Sequence, residues 1–320
     1  MHALKLPDAG WRRTPWTAWI PLLVLLALLG AVGTIQPSFI SPENLGLLAG
    51  ESSVILLLAT AQTLVIMLGG IDVSVAALTA LASVLMALAL PSSGWGGLLG
   101  VLGLTTLLGA FQGFVHVRAR IPSVVVTLAG LGMWSGLALV IAGTTVPVVE
   151  GYGTVAWLEG RSFGVHHSFA FAMAALALVA IAQHRMPFGR RIRAIGLNPA
   201  AARLSGIRIQ RVKVVAFGLT GLFAGLAAMT MVARTASGSP TIADSLLLPS
   251  IAAVLIGGTA ITGGTGGVWR TLVGVLTVTV LRVGIAATGL SAAYEPIAYG
   301  VLVVVAAALV VDRTARSSVK

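Results

Sequence analysis

Long apolar runs follow one another through this chain, at residues 16–35, 45–68, 73–90, 95–115, 121–141, 168–182, 212–232, 246–262, 269–287 and 294–311. A helix needs about 20 mainly apolar residues to cross a hydrocarbon core of about 30 Å. Inside lipid every backbone N–H and C=O must be satisfied within the protein, so such runs read as helices. The shorter, alternating apolar and polar segments of a β-barrel do not occur here. The expected fold is therefore all-α, a polytopic transmembrane bundle of about ten spans (eight to ten). It has a tail at 1–15, a single membrane domain at 16–311 and a second tail at 312–320.

Composition closes off the alternatives. Charged residues are 9% of the 320 and hydrophobic ones 57%, whereas a soluble domain carries about 25% charged residues. The N-terminal run at 16–35 is longer than the apolar core of a signal peptide, and more spans follow it, so it reads as an uncleaved first helix. The net charge of +11 does not signal nucleic acid, because the basic residues sit in short loops without aromatic interleaving. With the N-terminus inside and ten crossings, 17 of the 20 Lys and Arg residues fall on the inner side. That asymmetry places both termini in the cytoplasm.

Few residues are equipped for chemistry. There are no cysteines, which removes thiolate catalysis and cysteine metal sites. His166 and His167 are adjacent, so they do not share a helix face as metal ligands, and no metal site is expected. A phosphate-binding G-x-x-x-x-G-K-[ST] loop, H-E-x-x-H and G-x-S-x-G are all missing, so no enzyme activity is expected. Ionisable residues within or beside the spans are Glu51, Asp72 and Arg282. None has an evident partner in the sequence, and ion coupling gains no support.

Two segments stand out. The basic stretch 185–213 holds eight basic and no acidic residues. Within it Asn198 suits an N-cap, Pro199 the first helical position and Gly206 the C′ position. A helix of about two turns is expected over 198–206. It needs external packing to persist, from a partner protein or from anionic headgroups beneath the loop. The second segment is 68–75, where Asp72 sits between two spans. It is placed either to cap the next helix through the N–H of Ser74 or Val75 or to serve a gate. Gly-Gly pairs at 69–70 and 257–258 mark close packing or helix breaks beside a pathway. They also hint at a weak internal repeat.

These residues carry a resemblance. Gly69-Gly70-Ile71-Asp72-Val73-Ser74-Val75 is similar to G-G-I-D-L-S-V. Ile121-Pro122-Ser123-Val124-Val125-Val126-Thr127-Leu128 is similar to I-P-x-F-I-V-T-L. Phe188-Gly189-Arg190 is followed by Ala194-Ile195-Gly196-Leu197-Asn198 and Ala201-Ala202-Arg203-Leu204-Ser205-Gly206-Ile207. The last is Ile251 to Thr259 with Gly263-Gly264. In this order and spacing they resemble the permease subunits of bacterial ABC importers for ribose and related sugars, a group that includes autoinducer-2 importers. Val73, Ser123-Val124 and Leu197 depart from the family pattern and weaken any choice of substrate.

The resemblance implies an inner-membrane permease for a small polar substrate, a monosaccharide or an autoinducer-2-like compound. It implies a second permease copy or paralogue, a cytoplasmic ABC ATPase that binds the ATP and Mg, and an extracytoplasmic solute-binding protein. No cofactor is expected on this chain. Asn198, Pro199, Ala201, Ala202, Arg203, Leu204, Ser205 and Gly206 would form the coupling helix, and Gly69, Gly70, Asp72 and Ser74 a gating or structural motif. A path at the permease interface would draw on small and hydroxyl residues, with Gln62, Thr63, Thr127, Ser135 and Thr259 as candidates. Rival readings are a permease for branched-chain amino acids or nucleosides, and an ion-coupled secondary transporter.

Overall fold

The computed structural model describes residues 19–310. The tails, with Lys5, Arg12, Arg13, Arg313, Arg316 and Lys320, and the first three residues of the first expected span lie outside them. Helices dominate: α1 (Ile20–Ile35), α2 (Pro42–Met67), α3 (Val75–Arg118), α4 (Ser123–Ala142), α5 (Gly153–Ala156), α6 (His167–Arg185), α7 (Pro187–Leu197), α8 (Pro199–Leu204), α9 (Ile209–Thr235), α10 (Leu247–Ile256), α11 (Val268–Ala287) and α12 (Glu295–Val310). Two-residue strands make two small antiparallel pairs, Val146–Pro147 with Ser237–Gly238 and Arg161–Ser162 with Val165–His166. Among the described residues six helices (α2, α3, α4, α6, α9 and α11) are long and apolar enough to cross a membrane.

The expected spans at 73–90 and 95–115 form one helical run, α3, broken only at Gly94 (φ 48°, ψ −121°), with Pro91 just before it. Proline removes a helical N–H and clashes with the preceding turn, so the run folds into two legs. The span expected at 246–262 is helical only in its first part. Helix α10 stops at Ile256, and residues 257–267 form a looped segment. At 1.5 Å per residue, ten residues reach only half-way across a bilayer. The stop comes from Gly258 (φ 83°), with the Gly258 N–H donating to Leu255 O (2.9 Å) and Thr259 N–H to Val254 O (3.2 Å). That is a Schellman ending.

The end of α2 is closed in the same way. Gly69 (φ 74°) donates to Ile66 O at 2.9 Å and Gly70 to Val65 O at 3.0 Å. The two turns superpose by role with Gly69 matching Gly258, so the Gly-Gly strings are related one residue out of the register their letters suggest. The two turns also meet: Gly264 N–H donates to Met67 O at 2.9 Å.

Helix α2 is the axis of the bundle, with every residue from Ser52 to Met67 buried. Its hydroxyls are spent locally, Thr60 on Leu56 O and Thr63 on Ala59 O, each at 2.7 Å. This lets threonines sit in a buried helix without orphaned hydroxyls, whereas the Gln62 Oε1 of the same helix is buried without a partner among the described residues. By contrast α1 and α4 expose Leu23, Leu26, Leu128 and Val140, as lipid-facing helices do. Helix α9 lies against α3 through glycines. A Cβ at Gly221 would overlap the Thr105 carbonyl oxygen, and one at Gly109 the Phe217 carbonyl oxygen. Small residues permit such an approach where lipid supplies no hydrophobic driving force. Gly221→Val is therefore expected to cost roughly 3 kcal/mol and to deplete folded protein. Gly100→Val, at an exposed position with nothing within 4 Å of its Cβ, should leave it unchanged. Membrane accumulation of the two variants measures the contrast.

Candidate functional site

Residues 69–74 form a turn in which Asp72 and Ser74 are buried, and four helices contribute side chains to it. Asp72 is 2% exposed. Its Oδ1 accepts from Ser74 N–H (2.9 Å) and Ser74 Oγ (2.6 Å), and its Oδ2 accepts from Thr220 Oγ1 of α9 (3.1 Å). Gln112 Nε2 of α3 donates to Ser74 Oγ at 2.9 Å. Gln62 Nε2 of α2 donates to the Asp72 carbonyl. On the α4 side, Ile71 N–H donates to Ser123 Oγ and Val73 N–H to Thr127 Oγ1, both at 3.2 Å. The capping role open to Asp72 is thus present, and the same carboxylate also ties α3 to α9. Gln112 and Thr220 were not singled out from sequence. A glutamine inside an apolar run is costly unless paired, and that was the available signal.

A second junction lies where α2, α6, α7 and α11 converge. Gln183 of α6 donates through Nε2 to Met67 Sδ (2.8 Å) and accepts through Oε1 from Val268 N–H (3.1 Å), the first residue of α11. Helix α7 packs here through Ile192 and Ile195, both fully buried. A Cβ at Gly196 would overlap Met67 O and Gly264 N. The α2 end, the looped segment 257–267 and α7 are therefore in direct backbone contact.

From this junction the chain runs into α8. Asn198 Oδ1 accepts from Ala201 N–H at 3.0 Å, the N-cap bond. Gly206 (φ 76°) closes the other end, with its N–H on Arg203 O (3.0 Å) and Ile207 N–H on Ala202 O (3.1 Å). The local helix expected over 198–206 is present. Ala202 is its buried anchor at 3% exposure, while Leu204 is 91% exposed. Beside it a crevice of about 820 Å³ is lined by Arg120, Arg203, Arg208, Arg211 and Lys213.

The chain matches the family model described as "Branched-chain amino acid transport system / permease component" over residues 44–307. It is 34% identical over 293 residues to the ribose import permease of Bacillus subtilis (strain 168), covering 90% of this chain and 91% of that one. It is 33% identical over 307 residues to the ribose import permease of Escherichia coli (strain K12), covering 92% and 95%. To the fructose import permease of Rhizobium meliloti it is 30% identical over 307 residues, covering 91% and 84%. The chain belongs to this permease family. No solved structure matches it.

As a permease subunit the chain transports and does not catalyse, which agrees with the absence of catalytic motifs. The path candidates are distributed unevenly. Gln62 and Thr127 belong to the Asp72 turn. Thr63 Oγ1 lies 2.7 Å from Thr271 Oγ1 of α11. Thr259 is 3% exposed, its hydroxyl without a partner among the described residues. Ser135 stands apart, half-buried on α4. In this conformation the first four are interior positions.

Two ionisable residues without evident partners in the sequence have them in space. Glu51 on α2 pairs with Arg234 at the end of α9, 183 positions away, and Arg282 lies 3.6 Å from Glu295. Glu51 and Arg234 border a cavity of about 160 Å³ with Glu159 and His166. Burial raises the Glu159 carboxyl above its ordinary range, with Arg161 opposing, and burial lowers the His166 imidazole, helped by Arg161 and His167. The Glu51 and Arg234 side chains remain 34% and 42% exposed. Glu51→Gln is accordingly expected to cost about 1 kcal/mol or less, read as a small shift in thermal unfolding of the solubilised protein.

Proposed function

We propose that this permease imports a monosaccharide across the bacterial inner membrane, as half of a permease pair driven by a separate ATPase. The observation that carries the substrate class is the match, along nine-tenths of the chain, to permeases named for ribose and fructose. An extracytoplasmic solute-binding protein delivers the sugar, and ATP with Mg is held by the ATPase. Counting the two legs of α3 separately and the looped α10 as one crossing, the chain crosses ten times. Both termini then lie in the cytoplasm, in keeping with the placement of basic residues.

On this reading residues 198–206 are the coupling helix. The support is physical. An amply exposed Leu204 beside a basic crevice offers an apolar contact ringed by charge, the anatomy of a protein-docking surface. Movement of α8 reaches the interior through α7, whose Gly196 abuts Met67 and Gly264. The Asp72 turn, which begins two residues after Met67, and the looped segment 257–267 are the parts placed to respond. A change of affinity for the ATPase then shifts the balance between two packings of these turns, as differential contact requires.

The test is reconstitution of the tagged chain in liposomes with its ATPase and binding protein. Uptake of labelled ribose that needs ATP and both partners is the expected result. Uptake by the purified chain alone, driven by an ion gradient, would establish the secondary transporter. Uptake of an amino acid or nucleoside in preference to ribose would move the substrate class.

A further inference from the structure

A second basic cavity, of about 470 Å³, lies on the other side of α7 and is lined by His184, Arg193, Gly266, Gly267, Trp269 and Arg270 among others. It sits where α6 ends and α11 begins. We infer that it is a binding site for the phosphate headgroup of an anionic membrane lipid. The inference rests on the orientation proposed above, which puts this end of the bundle at the inner leaflet.

Three independent features converge. Three cationic or protonatable side chains from α6, α7 and α11 face one space, and acidic residues are not among those lining it. The N–H groups of Gly266 and Gly267 have no backbone acceptor among the described residues, although Gly267 is buried. An orphaned buried N–H such as that of Gly267 is rare in native structures, and Gly266 and Gly267 lead into the N-terminus of a 20-residue helix, where an anion is favoured. Trp269 at the rim is 47% exposed, and Leu178 and Ile181 of α6, in the turns before His184, are also exposed. The cavity therefore opens at the boundary between hydrocarbon and headgroups, the level at which tryptophan settles.

The glycine content of 263–267 is not part of the case. Side chains at Gly264 and Gly266 would strike Leu197 and Thr259, so protein packing alone explains them. Basic pockets between transmembrane helices at the inner face are suited to anionic headgroups. The crevice beside α8 differs in having the exposed coupling helix as a wall, which suits a protein partner. A headgroup held by Arg193 and the start of α11 fastens α7 to α11 and so steadies the segment that carries the coupling helix.

The experiment uses the full chain in mild detergent, titrated with phosphatidylglycerol and with phosphatidylcholine of matched acyl chains, bound lipid being read by native mass spectrometry. Phosphatidylglycerol is expected to bind about tenfold more tightly or better. Arg193→Gln with His184→Gln should bring the two lipids close to parity, and Arg193→Lys should retain the preference. Equal binding of both lipids by the unaltered chain, or a preference that survives the double substitution, overturns the proposal. Displacement of phosphatidylglycerol by millimolar inorganic phosphate would show a soluble-anion site and would equally overturn it. Should the variants fold poorly, photoactivatable phosphatidylglycerol added to the unaltered chain settles the place. Labelling within 264–270 or at Arg193 is expected, and labelling elsewhere refutes the site. If this surface is instead shielded by the ATPase in the assembled complex, the occupant is protein and the lipid assignment fails. The detergent readouts do not involve transport, so their failure is distinct from failure of the importer reading.

Discussion

Asp72→Ala is expected to lose about 1–3 kcal/mol of stability, and with it a large part of the folded permease in the membrane. Alanine strands the Ser74 N–H, a buried donor whose acceptor is the carboxylate at 2.9 Å. Leaving such a donor unpaired costs about 1–3 kcal/mol, and this bond is the cap that Asp72 supplies at the start of α3. The two hydroxyls are partly protected. Thr220 already reaches Phe217 O at 2.7 Å, and Ser74 Oγ lies 3.2 Å from Gln112 Oε1. Against a total stability of about 5–15 kcal/mol, the net loss is a large fraction.

Asp72→Asn should behave quite differently. Its Oδ1 keeps both bonds from Ser74, and its amide can donate to Thr220 Oγ1 while Thr220 donates to Phe217. Thermal unfolding in detergent separates the cases: alanine low, asparagine close to the unaltered protein. An asparagine variant as unstable as alanine would show that the charge is what the turn requires. An alanine variant that unfolds normally would remove the capping account altogether.

How far the sequence discloses this turn follows from the range of the interactions. Asp72 and Ser74 are two residues apart, and the choice of Asp72 as a cap for Ser74 needed only local geometry. The same holds for Asn198 and Gly206, whose bonds all close within five residues. Thr220 and Gln112 meet Asp72 and Ser74 from 148 and 38 positions away, and Arg234 meets Glu51 from 183. No periodicity in one chain encodes those distances, so Glu51 looked unpartnered. That the chain is an all-helical, polytopic membrane protein was legible because hydropathy is a summed, local property. The failure at 246–262 has the same origin: ten apolar residues of α10 and the apolar residues of the loop after it read as one run. Only the left-handed turn at Gly258 divides them. Helix α7 was missed because its period is short and its glycines discourage a helical reading. Gly189 and Gly196 are there because Gln183 O and Met67 O lie where a Cβ would be.

The largest functional effect is expected from Asn198→Ala combined with Gly206→Ala. Helix α8 has six residues, too few to be stable on propensity in water, so its shape depends on its two ends. Removing the N-cap bond to Ala201 costs about 1 kcal/mol. Forcing alanine into the φ of 76° held by Gly206 costs about another 1 kcal/mol. Together they lower the population of the formed helix roughly 30-fold relative to its unfolded loop, at 1.4 kcal/mol per tenfold. Neither residue contributes to the interior: both are exposed, and the space around a Cβ at Gly206 is open. Insertion and thermal unfolding of the bundle should therefore stay normal while ATP-driven uptake falls at least tenfold. The ATPase should be lost from the complex during affinity purification. Restoring Gly206 alone should recover part of both. Normal uptake with the ATPase retained would mean that α8 is not the surface through which the ATPase drives the permease. Attention would then pass to the basic crevice lined by Arg120 and Arg208, where the same purification with those two arginines replaced by glutamine would be decisive.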